Sequence, residues 1–255
     1  MIELHQVRAG YGGQDVIFDV SCRFESGVNC CLLGPNGCGK TTLLRAMSGL
    51  IPHTGDILID GERIETMPRR KIAAKIAVMS QINTIYFPYT VYDTVMLGRY
   101  QHMRRGPFGG AGAKDREVVA RCLQTTGLTD MADRLVSELS GGQAQRVFLA
   151  HTLAQEPDTI LLDEPTNHLD VKHQIELIDY LNAWTADGRH SVVGVFHDVN
   201  LALRLTDQVL FMKDGRLIRG GAFAEVASRG FLAELYGMDI AAYMTQSLRT
   251  WEKIT

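Results

Sequence analysis

Residues 28–42 carry a strand, a glycine-rich turn and the start of a helix in direct succession. Val28 to Leu33 reads as a buried strand. Gly34-Pro35-Asn36-Gly37-Cys38-Gly39-Lys40-Thr41 then fits G-x-x-x-x-G-K-[ST], and a helix follows from about Lys40 to Ser48. A strand that passes at its C-terminal end straight into a helix belongs in a parallel sheet, because a crossover must return the chain to start each parallel neighbour. The pattern recurs. Thr159 to Leu162 reads as a second buried strand, preceded by a helical run from Gln143 to Gln155. Ser191 to Phe196 reads as a third, followed by a helix from about Val199 to Leu205. Alternation of this kind predicts an α/β core with a mainly parallel sheet.

The flanks read differently. IELHQVRA and VIFDVSCRF are strand-like on either side of the turn Gly10 to Gly13, and Ile57 to Ile59 runs into an Asp60-Gly61 turn. Val209 to Met212, Asp214-Gly215 and Arg216 to Ile218 read as a hairpin. An antiparallel β subdomain beside the parallel core is therefore expected. Between about Ile82 and Leu153 the strand signal fades, and Asp93 to Tyr100, Asp115 to Thr126 and Gln143 to Leu153 read as helices. Arg104 to Gly112, RRGPFGGAG, reads as a mobile loop. The predicted organisation is a core of residues 1–81 and 154–255 with an inserted helical subdomain, 82–153.

Composition removes several function classes. A net charge of -3 gives no basic field for nucleic acid. No apolar run approaches the ~20 residues that span a bilayer. MIELHQVRAG lacks the basic head and apolar stretch of a signal peptide. The five cysteines form no CxxC pair and read as reduced thiols. A cytoplasmic chain is expected, with any membrane connection made through a partner.

The loop from Gly34 to Thr41 has the chemistry of a phosphate cradle. Its glycines let backbone N–H groups curl around phosphate oxygens, and the helix N-terminus adds partial positive charge. Lys40 is placed to reach the β- and γ-phosphates, and the Thr41 hydroxyl to ligate Mg²⁺. The run from Thr159 to Glu164 then delivers two carboxylates at a strand end. Asp163 is the expected Mg²⁺ ligand. Glu164, turned the other way by the pleat, is the expected group to polarise water. His197, ending the strand SVVGVF, should face the same crevice and contact the γ-phosphate or orient water. Gln81, after the short strand Ile76 to Ser80, is a candidate for Mg²⁺ or the attacking water. Tyr11 is a candidate adenine platform.

A second small-residue turn, Ser140-Gly141-Gly142, opens the helix from Gln143. Helix capping alone accounts for a serine there. It also presents free N–H groups to an anion. One phosphate loop already serves this chain's own nucleotide, so a second anion site makes most sense if it addresses the nucleotide of another subunit.

Tyr11, GPNGCGKTT (Gly34 to Thr42), Gln81, LSGGQ (Leu139 to Gln143), ILLDEP (Ile160 to Pro165), NHLD (Asn167 to Asp170) and His197, in this order and spacing, resemble the ATP-binding cassette (ABC) ATPase family over essentially the whole chain. The resemblance implies a P-loop NTPase core that works as a head-to-tail dimer with itself. Two ATP molecules are sandwiched in it, each held by one subunit's Gly34–Thr42 loop and the other's Ser140, Gly141, Gly142 and Gln143, with Asp170 communicating across the interface. YTVYDTVMLGRY, LDVKHQIELIDYL and VFHDVNLALRLTD are similar to the ATPase subunits of importers for iron–siderophores, haem and cobalamin. That group implies integral membrane permease subunits as partners, an indirect connection to a substrate-binding protein, and a place at the cytoplasmic face of the membrane. Molybdate or tungstate importers have a similar build. The rival readings are a soluble ABC ATPase serving as an assembly factor and a non-catalytic nucleotide-binding regulator. The intact Lys40, Asp163, Glu164 and His197 argue against the second. Cys38 stands where serine is more usual, and its place at a helix N-terminus predicts a lowered thiol pKa.

Overall fold

A computed structural model describes residues 1–80, 88–103, 110–167 and 169–252. Six strands form one sheet in the order β10-β9-β3-β8-β7-β6. These are β3 (Cys30–Leu33), β6 (Ile76–Ser80), β7 (Thr159–Asp163), β8 (Ser191–Val195), β9 (Gln208–Lys213) and β10 (Arg216–Ala222). All neighbours are parallel except β10, which runs antiparallel to β9. β3 and β8 are buried along their whole length, as strands covered on both faces must be.

Side-chain alternation assigns the two faces. Cys31, Leu33, Ile160, Leu162 and Val192 point into one hydrophobic cluster. Cys30, Leu32, Leu161, Val193 and Val195 point into the other. The first cluster is closed by α3 (Val91–Leu97), α4 (Ala113–Thr125), α5 (Gly141–Ala154), α6 (Val171–Thr185), α7 (Val199–Leu205) and α9 (Arg229–Tyr236). The second is closed by α1 (Lys40–Met47), α2 (Arg69–Lys75) and a four-stranded antiparallel sheet. That sheet has the order β2-β1-β4-β5, from β1 (Ile2–Tyr11), β2 (Gln14–Phe24), β4 (His53–Ile59) and β5 (Glu62–Arg63). Gly12 and Gly13, at φ 59 and 81, make the two-residue turn between β1 and β2.

The elements of the fold depart from the sequence reading in bounds, in pairing and in number. The first strand begins at Cys30, not Val28. Val28 is exposed, and Asn29 fixes the strand's entry by accepting from Val192 N at 2.9 Å and donating to Thr185 Oγ1 at 3.1 Å. The hairpin at 208–222 does not join the antiparallel subdomain. β9 buries Val209, Phe211 and Met212 and pairs in parallel with β3, so it widens the core sheet. Among the described residues, four α-helices have no counterpart in that reading: α6, a short α8 (Phe223–Val226) after β10, α9 and α10 (Ile240–Trp251). Most of the predicted loop, residues 104–109, lies outside the described residues.

α3, α4 and α5 are tied together by a buried cation. Arg99 is 1% exposed. Its guanidinium donates to Asp115 Oδ1 at 3.1 Å, to the Ala154 carbonyl at 2.6 Å and to Glu156 Oε2 at 2.9 Å. Asp115 also accepts from Gly112 N at 2.8 Å, in the first turn of α4. Among the described residues no helix is long and apolar enough to cross a membrane.

Candidate nucleotide site

The C-terminal ends of β3, β7 and β8 lie side by side, and the candidate residues sit there. After β3 the chain enters the glycine loop. Gly34, at φ 149, has no room for a side chain, since a Cβ would come within 2.1 Å of the Met212 carbonyl on β9. Gly39, at φ 102, is similarly enclosed, with Ile17 Cγ2 at 2.7 Å from the place of a Cβ. These contacts press the loop against β9 and β2 and lead it into α1. Lys40 is buried and folds back over the loop, donating to the carbonyls of Gly34 at 2.8 Å and Pro35 at 2.9 Å.

Thr41 Oγ1 donates to Asp163 Oδ1 at 2.7 Å, joining residues 122 positions apart. A hydroxyl and a carboxylate oxygen on opposing elements are hard donors suited to Mg²⁺, which takes few protein ligands when phosphates supply the rest. Glu164 is not turned by the pleat as the sequence reading has it. β7 ends at Asp163, and Glu164 adopts a left-handed conformation, φ 53, with its N–H bonded to the Val195 carbonyl at 3.2 Å. A non-glycine residue in this region is uncommon and costs on the order of 1 kcal/mol or more, so the surroundings hold it there. The turn aims the carboxylate at β8. Oε1 lies 2.8 Å from His197 Nε2, and Oε2 accepts from Asn167 Nδ2 at 2.7 Å.

Asn167 has no assigned role in the sequence reading. Its position within the NHLD run was visible, but not its reach back across the turn to Glu164. Gln145, on α5, is also new. It donates to the Pro165 carbonyl at 2.7 Å and so anchors that turn to the helix carrying Ser140.

The remaining candidates are more dispersed. Tyr11 is 45% exposed, and its hydroxyl accepts from Arg45 Nη1 on α1 at 3.1 Å. Ser140 caps α5 reciprocally with Gln143: the Ser140 N–H donates to Gln143 Oε1 at 2.9 Å and Ser140 Oγ accepts from Gln143 N at 3.3 Å. Gly141 opens the helix itself. Asp170 caps α6, and the two donors of His173 hold its carboxyl below the usual range. Among the described residues, no hydrogen bond or ion pair joins the Ser140–Gln143 turn to the Gly34–Thr42 loop. Gln81 lies outside the described residues.

Cys38 corrects one expectation. The thiol is buried, with Sγ 3.9 Å from Lys40 Nζ. Burial raises its pKa, and the Lys40 charge and nearby N–H groups offset this only in part. The helix terminus does not prevail because the sulfur is withdrawn from water. Cys38 should therefore label slowly with maleimide at pH 7, and faster as pH rises above the ordinary thiol range. Mass spectrometry of Cys38 over a pH series checks this. Rapid labelling at neutral pH would contradict it.

A phosphate loop leaving a parallel strand, with an acidic pair at the same end of the next strand but one, defines a nucleoside triphosphatase of the phosphate-loop class. The sequence pattern of the ABC transporter family matches residues 17–167. The chain is 36% identical to the ferric enterobactin transport ATP-binding protein FepC of Escherichia coli (strain K12), over 91% of this chain and 86% of that one. It is 35% identical to the hemin import ATP-binding protein HmuV of Chelativorans sp. (strain BNC1), over 92% and 91% respectively. Its fold superposes on the dimeric structure of MJ0796, a bacterial ABC transporter cassette, with a TM-score of 0.74 and 30% identity over 87% of this chain and 98% of that chain. The chain belongs to the ABC transporter family, as an ATP-binding and ATP-hydrolysing subunit.

Proposed function

We propose that this chain powers import of an iron chelate, an iron–siderophore or haem, by hydrolysing ATP between two copies of itself beneath a membrane permease. The observation that carries the catalytic part is the carboxylate of Glu164, held by His197 and Asn167 beside the Thr41–Asp163 pair. The cargo rests on relatives named for ferric enterobactin and hemin. Cobalamin is a third chelate of the class that the resemblance brings in.

In this reading Lys40 leaves the carbonyls of Gly34 and Pro35 for the β- and γ-phosphates, while loop N–H groups from Gly34 to Thr42 take the remaining oxygens. Tyr11 stacks on the adenine. Thr41 and Asp163, with Gln81, would hold Mg²⁺, which would supply charge neutralisation at the phosphates. Ser140, Gly141, Gly142 and Gln143 of the second copy close on the γ-phosphate, with Asp170 beside them. Glu164 accepts the proton of the attacking water, and His197 keeps the carboxylate and the γ-phosphate in register. Loss of the γ-phosphate removes the bridge and the dimer opens. Residues 82–153 carry that motion to the permease, which holds the chain at the cytoplasmic face and is fed by a substrate-binding protein.

The test is purification of the chain from detergent-solubilised membranes, followed by reconstitution. The expected result is a co-purifying polytopic protein and ATP-dependent uptake of a ferric siderophore, haem or cobalamin into proteoliposomes. Recovery of the chain wholly free of membrane partners, with full turnover alone, would favour the assembly-factor reading instead.

A further inference from the structure

Gly142 and Asp170 lie on different elements, the first turn of α5 and the cap of α6. One side chain meets both. His173 Nδ1 lies 2.7 Å from Asp170 Oδ1, and the same oxygen accepts the His173 backbone N–H at 2.9 Å. The imidazole also covers Gly142. A Cβ at position 142 would fall 2.6 Å from His173 Cδ2 and 2.7 Å from Cγ and Nε2. Three-quarters of the His173 side chain is buried, at 25% exposure. A carboxylate oxygen only accepts, so the ring donates to Asp170 from Nδ1–H. Turning the ring away from Gly142 breaks the bond to Asp170. Glycine at 142 is what allows the close approach.

We propose that His173 is a positioning residue that locks the first turn of α5 to the cap of α6, so that Ser140, Gly142 and Asp170 meet a second copy of the chain as one rigid edge. This inference rests on the split-site reading above. A grip on the γ-phosphate from across an interface tolerates little misplacement, since an error of ~1 Å in such a site costs roughly 100-fold. Gln145 also ties α5 to the Pro165 turn, but at the edge itself α5 is held by the Ser140–Gln143 cap and α6 by Asp170. His173 joins the halves, and among the described residues no hydrogen bond or ion pair links it to the Gly34–Thr42 loop or to Glu164 of its own subunit. Its removal should therefore spare the binding of ATP by a single chain and weaken association of two.

The full chain carrying Glu164→Gln, which slows hydrolysis, is the working background. Sedimentation equilibrium with Mg-ATP reads association, and titration with a fluorescent ATP analogue at low protein concentration reads binding to the monomer. Adding His173→Ala should leave monomer binding within about twofold and raise the dimer dissociation constant at least tenfold. His173→Asn, which restores a donor at the Nδ1 position, should recover part of that loss. Gly142→Ala should lower the thermal midpoint when His173 is present, and much less when combined with His173→Ala, because the obstructing ring is then gone. Unchanged association in the His173→Ala variant overturns the inference and leaves the split site standing. Loss of monomer ATP binding in that variant also overturns it, since the role is then general to the fold. If Glu164→Gln alone fails to associate with ATP, the split-site reading falls and takes this inference with it.

Discussion

Glu164→Gln should bind ATP normally and hydrolyse it roughly 10²–10⁴-fold more slowly, the span by which a positioned general base accelerates proton transfer. The substitution is nearly isosteric. The glutamine keeps one oxygen to accept from His197 or Asn167, and the Asn167 amide can turn its own oxygen to the new NH₂ group. The left-handed backbone at φ 53 is a property of the turn and is retained. What disappears is the negative charge and the proton acceptor. Lys40 and the Gly34–Thr42 loop are untouched, so affinity for ATP should change little. Phosphate release in a single turnover, measured alongside ATP binding, separates the two effects. Glu164→Asp keeps the charge but draws it back by one methylene from both partners, so it should fall between the two. Normal turnover in the glutamine variant would remove Glu164 from its assigned role.

Arg99→Ala should destabilise the fold by about 3 kcal/mol, near the lower end of the 3–5 kcal/mol expected when one partner of a buried ion pair is deleted. The lower end applies because Glu156, at 36% side-chain exposure, can recover water, whereas Asp115, at 10%, cannot. For a chain of this size the thermal midpoint should drop by roughly 6–12 °C. Arg99→Ala with Asp115→Asn should be less damaging than the two single effects summed, because the orphaned charge is then absent. The effect should depend on pH. Burial alone would raise the Asp115 pKa, but the Gly112 N–H and Arg99 outweigh it and hold the carboxyl below its usual value. A depressed carboxyl pKa contributes stability above the unfolded value, and that stability fades as pH falls through the folded value. The gap between wild type and variant should therefore be full near pH 7 and narrow below about pH 4. Thermal melts of both proteins across that range check it. A gap of constant size would show that lost packing, and not charge, is responsible.

The two predictions differ in how far the sequence announces them. Lys40, Thr41, Asp163 and His197 each sit at or just beyond the end of an apolar strand, and a strand followed by a turn is a local pattern. Their convergence follows from the rule that parallel strands present the same ends together. The direction of Glu164 was not legible, because it depends on a backbone dihedral and on a bond from its N–H to β8. Arg99 was less legible still. Arg99 falls within the predicted helix from Asp93 to Tyr100 with no local sign of burial, and its partners Asp115 and Glu156 stand 16 and 57 positions away. The hairpin of β9 and β10 shows the same limit. Its turn is local and was read, but β9 is claimed by β3, from the other end of the chain. Cys38 is the opposite case, since the position was read and its burial beneath the loop was not. α9 and α10 carry their capping residues, Ser228 and Asp239, in plain view, yet neither follows an apolar strand directly, the pattern that marks α1 and α7.

The central position of β3 also has a consequence for the birth of the protein. Its partners in the sheet are β8 and β9, and Cys30 pairs with Val193. During synthesis the strand leading into the phosphate loop must wait for roughly 160 further residues to emerge, which takes about 8–32 s at 5–20 residues per second. Until then both its edges lack their partners, although α1 and the antiparallel sheet, already made, can cover the Cys30 and Leu32 face. The nascent chain thus presents a strand with two open edges early and completes its ATP site late, so no partly made copy can hydrolyse ATP, and a chaperone has a defined interval in which to cover residues 30–33.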